Sequence, residues 1–486
     1  MKCKLGKVGF GFVLIVGIFF IGLLVIQFAK KNTGSLSLQK QITPKHIVLI
    51  NIDSLRSDHM GIYGYSKNTT PFLDSLFRKG VVFDNAIAPG YLTFQTDAAI
   101  FSGLYPSENN VTRWVTPIDE KIHILPEILN TYGFSTAAFV SPSLWKTFGW
   151  SSKFQTYSIN TDLKNIAETR GTVSSWINGH QDQSFLFWHI YDVHIPYMPA
   201  NTTYYKGKYT GPFIDDSIWS KSWQTKTTLY TPDNSTGTES GKFIATPFRP
   251  VDVDYLKASY DTGIAYVDDQ LKLFFSSIQN NPVYEDTLFI ISAEHGEDLK
   301  EHGYLFHGDI YNNNIKVPLV FIYPSLNPSR IKEAVSSLDI MPTILSMLNI
   351  PSPETIDGES LMPILQGEKG DLNRSIFTER APFDEYAITK GEWKYILRNP
   401  DKKKTITSKT VESFFTQMLV SDTNNMDEFY NLNNDPMEQH NLIGKGYKEE
   451  ETLRSEVLAF RTRMQEARKL NSTIQQLDYN KLIPYP

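Results

Sequence analysis

Cysteine is almost missing from this chain of 486 residues, whose single example is Cys3. The body of the chain therefore has no disulfide and no thiol nucleophile, and at this length a hydrophobic core can stabilise a fold without cross-links. Blocks of basic residues are missing too, and the formal net charge is −6. This charge pattern excludes the electrostatic footprint of a nucleic-acid-binding protein.

Charge is also lacking from residues 8–26, a run of 19 almost wholly apolar residues. Such a run is long enough to cross a bilayer as a helix. Lysines flank it on both sides, at Lys2, Lys4, Lys7, Lys30 and Lys31. Their balance favours a cytoplasmic amino terminus, so we expect a single-pass anchor within residues 1–31 and an extracytoplasmic body. The alternative is a cleaved signal peptide, which would have a shorter apolar core and a small-residue cleavage site that is not evident here.

After a polar linker at residues 32–45, short apolar runs alternate with amphipathic segments as far as residue 370. The apolar runs predict buried strands at residues 46–52, 134–140, 185–190, 288–292 and 317–323. The amphipathic segments predict helices at residues 71–79, 124–132, 254–278 and 338–348. This alternation is typical of an α/β domain with a mostly parallel sheet sandwiched by helices, which we assign to residues 46–370.

Two later regions depart from this alternation. Residues 201–249 are rich in Tyr, Thr, Ser, Gly and Trp and predict a long insertion, either a lid or binding surface or a segment with little functional role. Residues 371–486 contain short apolar runs at 386–389 and 393–397 and a charged amphipathic segment at 447–468. They predict a small α+β subdomain at the carboxyl terminus.

Two of the predicted strands end in side chains that bind metals. Asp53 follows the strand at 46–52, and Glu294 and His295 follow the strand at 288–292. Ligands bind at the carboxyl ends of the strands in open α/β sheets, so we expect these side chains to meet at one sheet edge and to hold a divalent cation. The alternative is that each acid only caps the helix or turn after it.

A pair of hydroxyl groups precedes an apolar helix that the sequence predicts from about Asp97 to Gly103. A hydroxyl at a helix amino terminus lies in a positive field, which stabilises an alkoxide or an anionic ester. Thr93 and Thr96 both qualify as a nucleophile by this argument. The competing interpretation, stronger for Thr96, is an ordinary helix N-cap.

Longer motifs occur along the chain, and the first is Asn-Ile-Asp-Ser-Leu-Arg-Ser-Asp-His-Met-Gly-Ile-Tyr-Gly-Tyr at 51–65. Further motifs follow at residues 69–74, 102–106, 189–197, 260–269, 294–297, 301–303, 316–320, 339–343 and 429–438. In sequence and order these motifs resemble the sulfatase family, which belongs to the alkaline phosphatase superfamily. The resemblance covers nearly everything after the predicted anchor and implies the fold of that family.

The resemblance also implies a metal site. Asp53 matches the metal-binding aspartate of the family, and His295 matches the histidine of its Asp-His-Gly motif, in which Glu294 replaces the aspartate. Thr93 matches the nucleophile and would also contact the metal. The sequence leaves the choice among Ca²⁺, Mg²⁺, Mn²⁺ and Zn²⁺ open.

Two further histidines have family counterparts. His194 and His307 match histidines that contact the ester or assist its leaving group. A second metal ion would need more ligands, for which Asp192 together with these histidines is the candidate set. A single ion, with His194 and His307 touching the substrate, is the simpler interpretation.

The nucleophile motif departs from the usual one. A typical sulfatase has Cys/Ser-x-Pro-x-Arg and converts the first residue to formylglycine, whereas this chain has Thr-Phe-Gln-Thr-Asp at 93–97. Threonine cannot give that aldehyde, and the lost arginine removes a bidentate partner for the ester oxygens. Asp97 adds a negative charge that repels an anionic ester unless a cation offsets it. The motif therefore argues against formylglycine chemistry.

Other branches of the superfamily use an unmodified threonine. The resulting hypothesis is a metal-dependent hydrolase of sulfate or phosphate esters that acts outside the membrane through Thr93. One alternative is a transferase that passes a phospho-group to a lipid or glycan, which the anchor favours. Another is a catalytically inactive sulfatase-like binding protein, which Gln95, Asp97 and Glu294 favour.

Overall fold

The computed structural model describes residues 43–472 except for gaps at 113–116, 142–144, 146–148, 161–165, 196, 198–222, 225–227, 233–242, 248–249, 304, 372 and 401–425. The predicted anchor and most of the linker lie outside the described residues. Among the helices within them, none combines the length and apolar character needed to cross a bilayer.

An eight-stranded sheet forms the centre of the chain. Its strands, in spatial order, are β13 (Ser329–Ser336), β2 (Val81–Ile87), β12 (Lys316–Ile322), β9 (Thr287–Ser292), β1 (His46–Ile52), β5 (Ser184–Ile190), β3 (Ser135–Val140) and β4 (Thr156–Ile159). β12 runs antiparallel to both of its neighbours, and the other pairings are parallel. The prediction of a mostly parallel sheet is confirmed, and the five predicted strands have ends within one residue of those expected, whereas β2, β4 and β13 were not predicted.

β1 is the strand on which the site depends. All seven of its residues are buried, as expected for the continuous apolar sequence His-Ile-Val-Leu-Ile-Asn-Ile. The register pairs Asn51 with His189 of β5 on one side and with Ser292 of β9 on the other. The carboxyl ends of β5, β1 and β9 are therefore level with one another.

Helices pack around the sheet in two groups. The helix Pro250–Ile278 contacts Ile166–Gly179 and Pro71–Phe77, while Thr93–Ser102 contacts Ile340–Met347 and Leu125–Thr131. Shorter helical turns lie at Ser57–His59, Gly61–Tyr63, Pro106–Asn109, Trp150–Ser152, Pro282–Glu285, Asn312–Ile315, Ser337–Asp339, Met362–Leu365 and Ala381–Phe383. The four helices predicted from amphipathic periodicity are all present.

The described parts of the insertion form a small antiparallel sheet of β6 (Trp223–Gln224), β7 (Thr228–Pro232) and β8 (Phe243–Pro247). A second small element is the antiparallel pair β10 (Asp298–Leu299) and β11 (Leu305–Phe306), which follows β9. The sequence predicts a long insertion at residues 201–249, and the rest of it lies outside the described residues.

The carboxyl-terminal region contains a four-stranded antiparallel sheet and a long helix. The strands are β14 (Ser375–Arg380), β15 (Glu385–Lys390), β16 (Trp393–Leu397) and β17 (Glu428–Asn431), and the helix is Lys448–Ser472. Tyr386, Phe429 and Val457 from these elements share an apolar cluster with Ala99 and Leu338. The residues from 43 onward form one compact unit, so a boundary at residue 370 stays a prediction.

A buried ionic cluster joins this region to the main sheet domain. Arg398 Nη1 lies 2.6 Å from Asp309 Oδ1, and Arg398 Nε lies 2.8 Å from Glu428 Oε1. Arg398 Nη1 also lies 3.3 Å from Glu385 Oε2. All four side chains are buried, so the guanidinium compensates carboxylates that water cannot reach.

We expect Arg398→Met to destabilise the protein by about 3–5 kcal/mol, because it leaves buried carboxylates without their shared partner. Urea unfolding measures this loss. Arg330→Met is the matched control, since Arg330 pairs with Asp84 at 2.6 Å but its side chain is 45% exposed. That change is expected to cost less than about 1 kcal/mol. Equal effects of the two substitutions would contradict a special role for the buried cluster.

Candidate active site

Thr93 is the first residue of the helix Thr93–Ser102 and is buried. The expected start near Asp97 was wrong, because the helix begins four residues earlier, directly after the extended residue Leu92. Thr96 is consequently inside the first turn, where its backbone N–H donates to Leu92 O at 3.1 Å, and it is not an N-cap. The end of the helix at Gly103 is as expected, since Gly103 adopts φ of +68°, the left-handed conformation that favours glycine.

The Thr93 hydroxyl lies between residues from two strands. Its Oγ1 is 3.2 Å from His295 Nε2 and 3.5 Å from Asp53 Oδ2. Asp53 follows β1, and its backbone N–H donates to Ile190 O at 2.9 Å, which fixes it beside the end of β5. The structure thus brings Thr93, Asp53 and His295 together at the sheet edge.

Glu294 lies beside a histidine to which the sequence assigned no role. His189 Nε2 is 3.3 Å from Glu294 Oε1 and 3.4 Å from Asp53 Oδ2. The ligand atoms of Asp53, His189 and Glu294 all lie within 4.8 Å of one another, and all three residues are buried. The sequence does show that His189 is the last residue but one of a strand as apolar as β1, but only the sheet order reveals that β5 is the neighbour of β1.

Backbone carbonyl groups orient both imidazoles. His189 Nδ1 donates to Ser141 O at 2.8 Å, and His295 Nδ1 donates to Gly296 O at 2.9 Å. In the neutral form of either ring Nε2 then carries the lone pair, and when Nε2 is protonated it pairs with Asp53, which it neighbours in both cases. Such an outer hydrogen bond on Nδ1 is typical of histidines that bind metal through Nε2.

The loop that carries His295 is fixed by a neighbouring helical turn. Gly296 N–H donates to Asn314 O at 2.6 Å, and Glu297 N–H donates to Asn313 O at 2.9 Å. A Cβ at Gly296 would lie 2.0 Å from Asn313 O, so a larger residue does not fit there. Asn312, in the same turn, accepts from Lys394 of β16 at 3.0 Å, which links the loop to the carboxyl-terminal sheet.

The carboxyl groups of the site differ in their pKa. Burial disfavours ionisation of Asp53, but His194 and the hydrogen bond to His189 outweigh it and hold the Asp53 pKa well below its usual value. Burial, and then the charge of Asp53, raises the Glu294 pKa well above its usual value. Burial and the charge of Glu294 do the same to the pKa of Asp97. The site therefore combines one carboxyl group that ionises readily with two that favour the protonated form.

His194 and His307 lie on the side of His295. The His295 and His307 rings stack with centroids 4.1 Å apart, and the His307 and His194 centroids are 4.9 Å apart. Burial lowers the pKa of His194 and of His295 to about 3 and that of His307 to about 4, so all three are neutral near pH 7. His307 Nδ1 is oriented by Glu297 Oε1, 3.3 Å away.

These residues fit a divalent cation. Two carboxyl groups and an imidazole nitrogen converge, and Glu294 Oε2 is buried without a hydrogen-bond partner among the described residues. A mixed oxygen and nitrogen donor set accepts several divalent ions, so the choice among Ca²⁺, Mg²⁺, Mn²⁺ and Zn²⁺ stays open. Asp192, which the sequence offered as a ligand of a second ion, accepts from the backbone N–H of Ile166 at 3.2 Å at the start of a helix.

The residues that replace the usual proline and arginine have partners of their own. Gln95 Nε2 donates to Thr112 O at 2.7 Å. Asp97 Oδ1 accepts from Asn51 Nδ2 at 2.6 Å, which ties the helix, just after its first turn, to the end of β1. Asp97 is fully buried, so this position supplies a carboxyl group beneath the nucleophile instead of a guanidinium.

The fold and the site together define an α/β ester hydrolase, and comparison with known proteins names its family. A family model described as Sulfatase matches residues 45–350, and one described as N-sulphoglucosamine sulphohydrolase, C-terminal, matches residues 300–470. The first match spans more than half of the chain. The chain therefore belongs to the sulfatase family, and it is a sulfatase-like hydrolase of sulfate esters.

Individual relatives are distant but similar over most of their length. An ulvan-active sulfatase of Formosa agariphila is 24% identical over 402 residues, which cover 79% of this chain and 72% of that protein. A delta 4,5-hexuronate-2-O-sulfatase of Bacteroides thetaiotaomicron is 24% identical over 445 residues, which cover 83% of this chain and 85% of that protein. The solved structure of a phosphonate monoester hydrolase of Agrobacterium radiobacter has a TM-score of 0.65 at 18% identity and covers 87% of this chain and 96% of its own.

Asp97 allows a test of stability against pH in the presence of a chelator. Because its pKa is raised in the folded chain, its contribution to stability is complete below about pH 4, the pKa of an unfolded aspartate, and is lost as the pH rises. Asp97→Asn removes this loss and keeps an acceptor for Asn51. We expect the variant to unfold at higher urea than the parent at about pH 7, with the difference vanishing near about pH 4.

Asp261→Asn is the control of opposite sign. Burial opposes ionisation of Asp261, but the hydrogen bond to His59 and the partner Lys67 lower its pKa overall. The ionised Asp261 carboxylate therefore stabilises the fold above the pKa of an unfolded aspartate, and this stabilisation is lost as the pH falls. We expect Asp261→Asn to unfold at lower urea than the parent at neutral pH. If Asp97→Asn also unfolds at lower urea than the parent at neutral pH, ionisation of the buried Asp97 carboxyl does not destabilise the fold and the prediction is wrong.

Proposed function

We propose that this protein is a metal-dependent hydrolase of sulfate or phosphate esters that attacks its substrate with the unmodified hydroxyl of Thr93. The observation that carries this proposal is the position of Thr93 Oγ1, 3.2 Å from His295 Nε2 and 3.5 Å from Asp53 Oδ2. A nucleophile needs a nearby acceptor for its proton, and here the hydroxyl is within hydrogen-bond reach of one.

The chain activates Thr93 in two ways. His295 donates through Nδ1 to Gly296 O, so its Nε2 accepts the hydrogen bond of the Thr93 hydroxyl. Thr93 is also the first residue of a ten-residue helix, whose amino-terminal N–H groups and dipole stabilise negative charge on the hydroxyl oxygen and on an anionic ester.

A divalent cation held by Asp53, His189 and Glu294 would supply charge neutralisation and would lower the pKa of the Thr93 hydroxyl. The residues of the chain supply the orientation. Asp53 is fixed by its backbone bond to Ile190 and by Ser54 Oγ, which donates to Asp53 Oδ1 at 3.0 Å. Asp97, held by Asn51, fills the position beneath the helix turn.

His307 and His194 serve the leaving group in this proposal. The centroid of the His307 ring lies 4.1 Å from that of His295 and 4.9 Å from that of His194. They are neutral in the free protein, and a bound anionic ester raises the pKa of a neighbouring imidazole, which favours the protonated form that donates to the leaving oxygen. Glu297 keeps His307 oriented.

The names of the relatives guide the choice of substrates. Two of them are sulfatases that act on ulvan or on a hexuronate, and one structural neighbour is a phosphonate monoester hydrolase. We extend both ester classes to this chain, because Thr93 without formylglycine suits direct attack on phosphorus as well as on sulfur. The predicted anchor would place this activity outside the membrane.

Thr93→Ala tests the nucleophile. We expect the loss of about 10³-fold or more of kcat/KM on whichever aryl sulfate or aryl phosphate the parent cleaves in a screen with Ca²⁺, Mg²⁺, Mn²⁺ and Zn²⁺. Thr93→Ser keeps a hydroxyl and should keep measurable turnover. Unchanged cleavage by Thr93→Ala would remove Thr93 from the mechanism.

A covalent intermediate distinguishes this reaction from its alternatives. Acid-quenched protein should carry one sulfo or phosphoryl group on the peptide that contains Thr93, and the Thr93→Ala variant should not. A product that forms only when a lipid or glycan acceptor is supplied would show that the protein is a transferase and not a hydrolase. If the protein retains metal but shows neither turnover nor an intermediate, the proposed hydrolase activity would be wrong and a binding role would take its place.

A further inference from the structure

The turn that follows β1 contains a strained residue. Ser54, directly after Asp53, adopts φ of +61°, in the left-handed region that residues with a Cβ rarely occupy. Ser54, Leu55 and Arg56 are all buried. A strained backbone of this kind persists only when the surrounding structure holds it, so contacts from elsewhere in the fold must fix this turn.

Tyr260 supplies two of these contacts. Its hydroxyl donates to Ser54 O at 2.6 Å and accepts from the backbone N–H of Arg56 at 2.9 Å. Both the donor and an acceptor site of the phenol are therefore used within one turn. Tyr260 is itself buried and belongs to the helix Pro250–Ile278, so this helix holds the turn at the place where its backbone is strained.

Other contacts fix only the two ends of the turn. The backbone N–H of Asp53 donates to the last residue of β5 at 2.9 Å, and the Arg56 guanidinium pairs with Asp58 at 2.7 Å. Between these ends, Ser54 O and the Arg56 N–H have no hydrogen-bond partner besides Tyr260 among the described residues. Loss of the phenol hydroxyl would therefore leave two buried backbone groups unpaired at the strained position.

The far end of the turn reaches a second loop of the site. Arg56 Nη1 donates to Glu297 O at 3.0 Å. Arg56 Cγ lies 3.0 Å from the position that a Cβ would take at Gly296, so the side chain packs closely against this loop. Glu297 in turn orients His307, whose Nδ1 is 3.3 Å from Glu297 Oε1. A displacement of the turn would thus move Asp53 at one end and the support of His307 at the other.

We infer that Tyr260 is a positioning residue of the proposed hydrolase, whose hydroxyl holds the strained turn at 54–56 and, through it, the positions of Asp53 and Glu297. The inference deepens the proposed function and rests on it. Tyr260 acts through the backbone of the turn and not on the ester. Such a role affects the rate strongly, because a displacement of about 1 Å in the reacting groups can cost about 10²-fold.

Tyr260→Phe in the full-length chain tests this inference, because it removes the hydroxyl and keeps the ring. We expect kcat on the ester that the parent cleaves to fall by about 10²-fold with KM nearly unchanged, since the displaced groups act on the reacting atoms. Hydrogen exchange, followed by mass spectrometry, should become faster in the peptide that covers residues 51–58, where the Arg56 N–H loses its acceptor.

Tyr63→Phe is the matched control. The Tyr63 hydroxyl also makes one bond of each kind to the backbone, since it donates to Phe83 O at 3.2 Å and accepts from the Leu319 N–H at 3.1 Å. It joins β2 and β12, neither of which carries a residue of the site. Both variants should unfold at lower urea than the parent, because each leaves two backbone groups unpaired. Tyr63→Phe should exchange faster at Leu319 and keep the kcat of the parent.

The outcomes separate the inference from the proposed function. A parental kcat in folded Tyr260→Phe, or an equal loss in both variants, would overturn the positioning role. Unchanged exchange at residues 51–58 would overturn the contact on which that role rests, and so would weak protection of this peptide in the unsubstituted chain, which can be measured even if no variant folds. A Thr93→Ala variant that cleaves as well as the parent would overturn the proposed nucleophile alone.

Discussion

The alignment of three parallel strands is the constraint on which the rest of this structure depends. β5, β1 and β9 end level with one another, so the residues that follow them or close them share one small, dry volume. This volume contains the buried side chains of His189, Asp53 and Glu294. At such short distances a buried charge is stable only if a group of opposite charge compensates it. The apolar strands that make the fold stable therefore also create the electrostatic problem that the chemistry exploits.

Much of this arrangement follows from the sequence. The apolar runs that end in Asp53 and Glu294 predict strands and a shared edge, because buried parallel strands have both a distinctive composition and a known ligand end. The position of His189 beside Asp53 cannot be predicted in this way. It depends on which strand lies next to β1, and the local periodicity of the sequence does not give the order of strands in the sheet. The start of the helix at Thr93 is also hidden, because its first turn is mostly polar and a tertiary hydrogen bond from Asn51 to Asp97 fixes the helix just after that turn.

The departures from the usual sulfatase motif become coherent when they are considered together. A threonine, a buried aspartate and a glutamate in place of an aspartate would each weaken a formylglycine site. At the carboxyl ends of the strands, these side chains place oxygen atoms around the Thr93 hydroxyl group. Such a group of oxygen ligands is suited to binding a cation. The glutamine and the aspartate of the motif are both hydrogen-bonded within the site.

The attachment of the site to the carboxyl-terminal sheet has a consequence for biosynthesis. The loop of His295 rests on the turn Asn312–Ile315, and that turn is bonded to Lys394, while Asp309 just before it is paired with Arg398. A nascent chain that already displays every catalytic residue still lacks the support that orders them. Because domains form as their residues emerge, the hydrolase completes its site only after the segment that carries Lys394 and Arg398 has been synthesised.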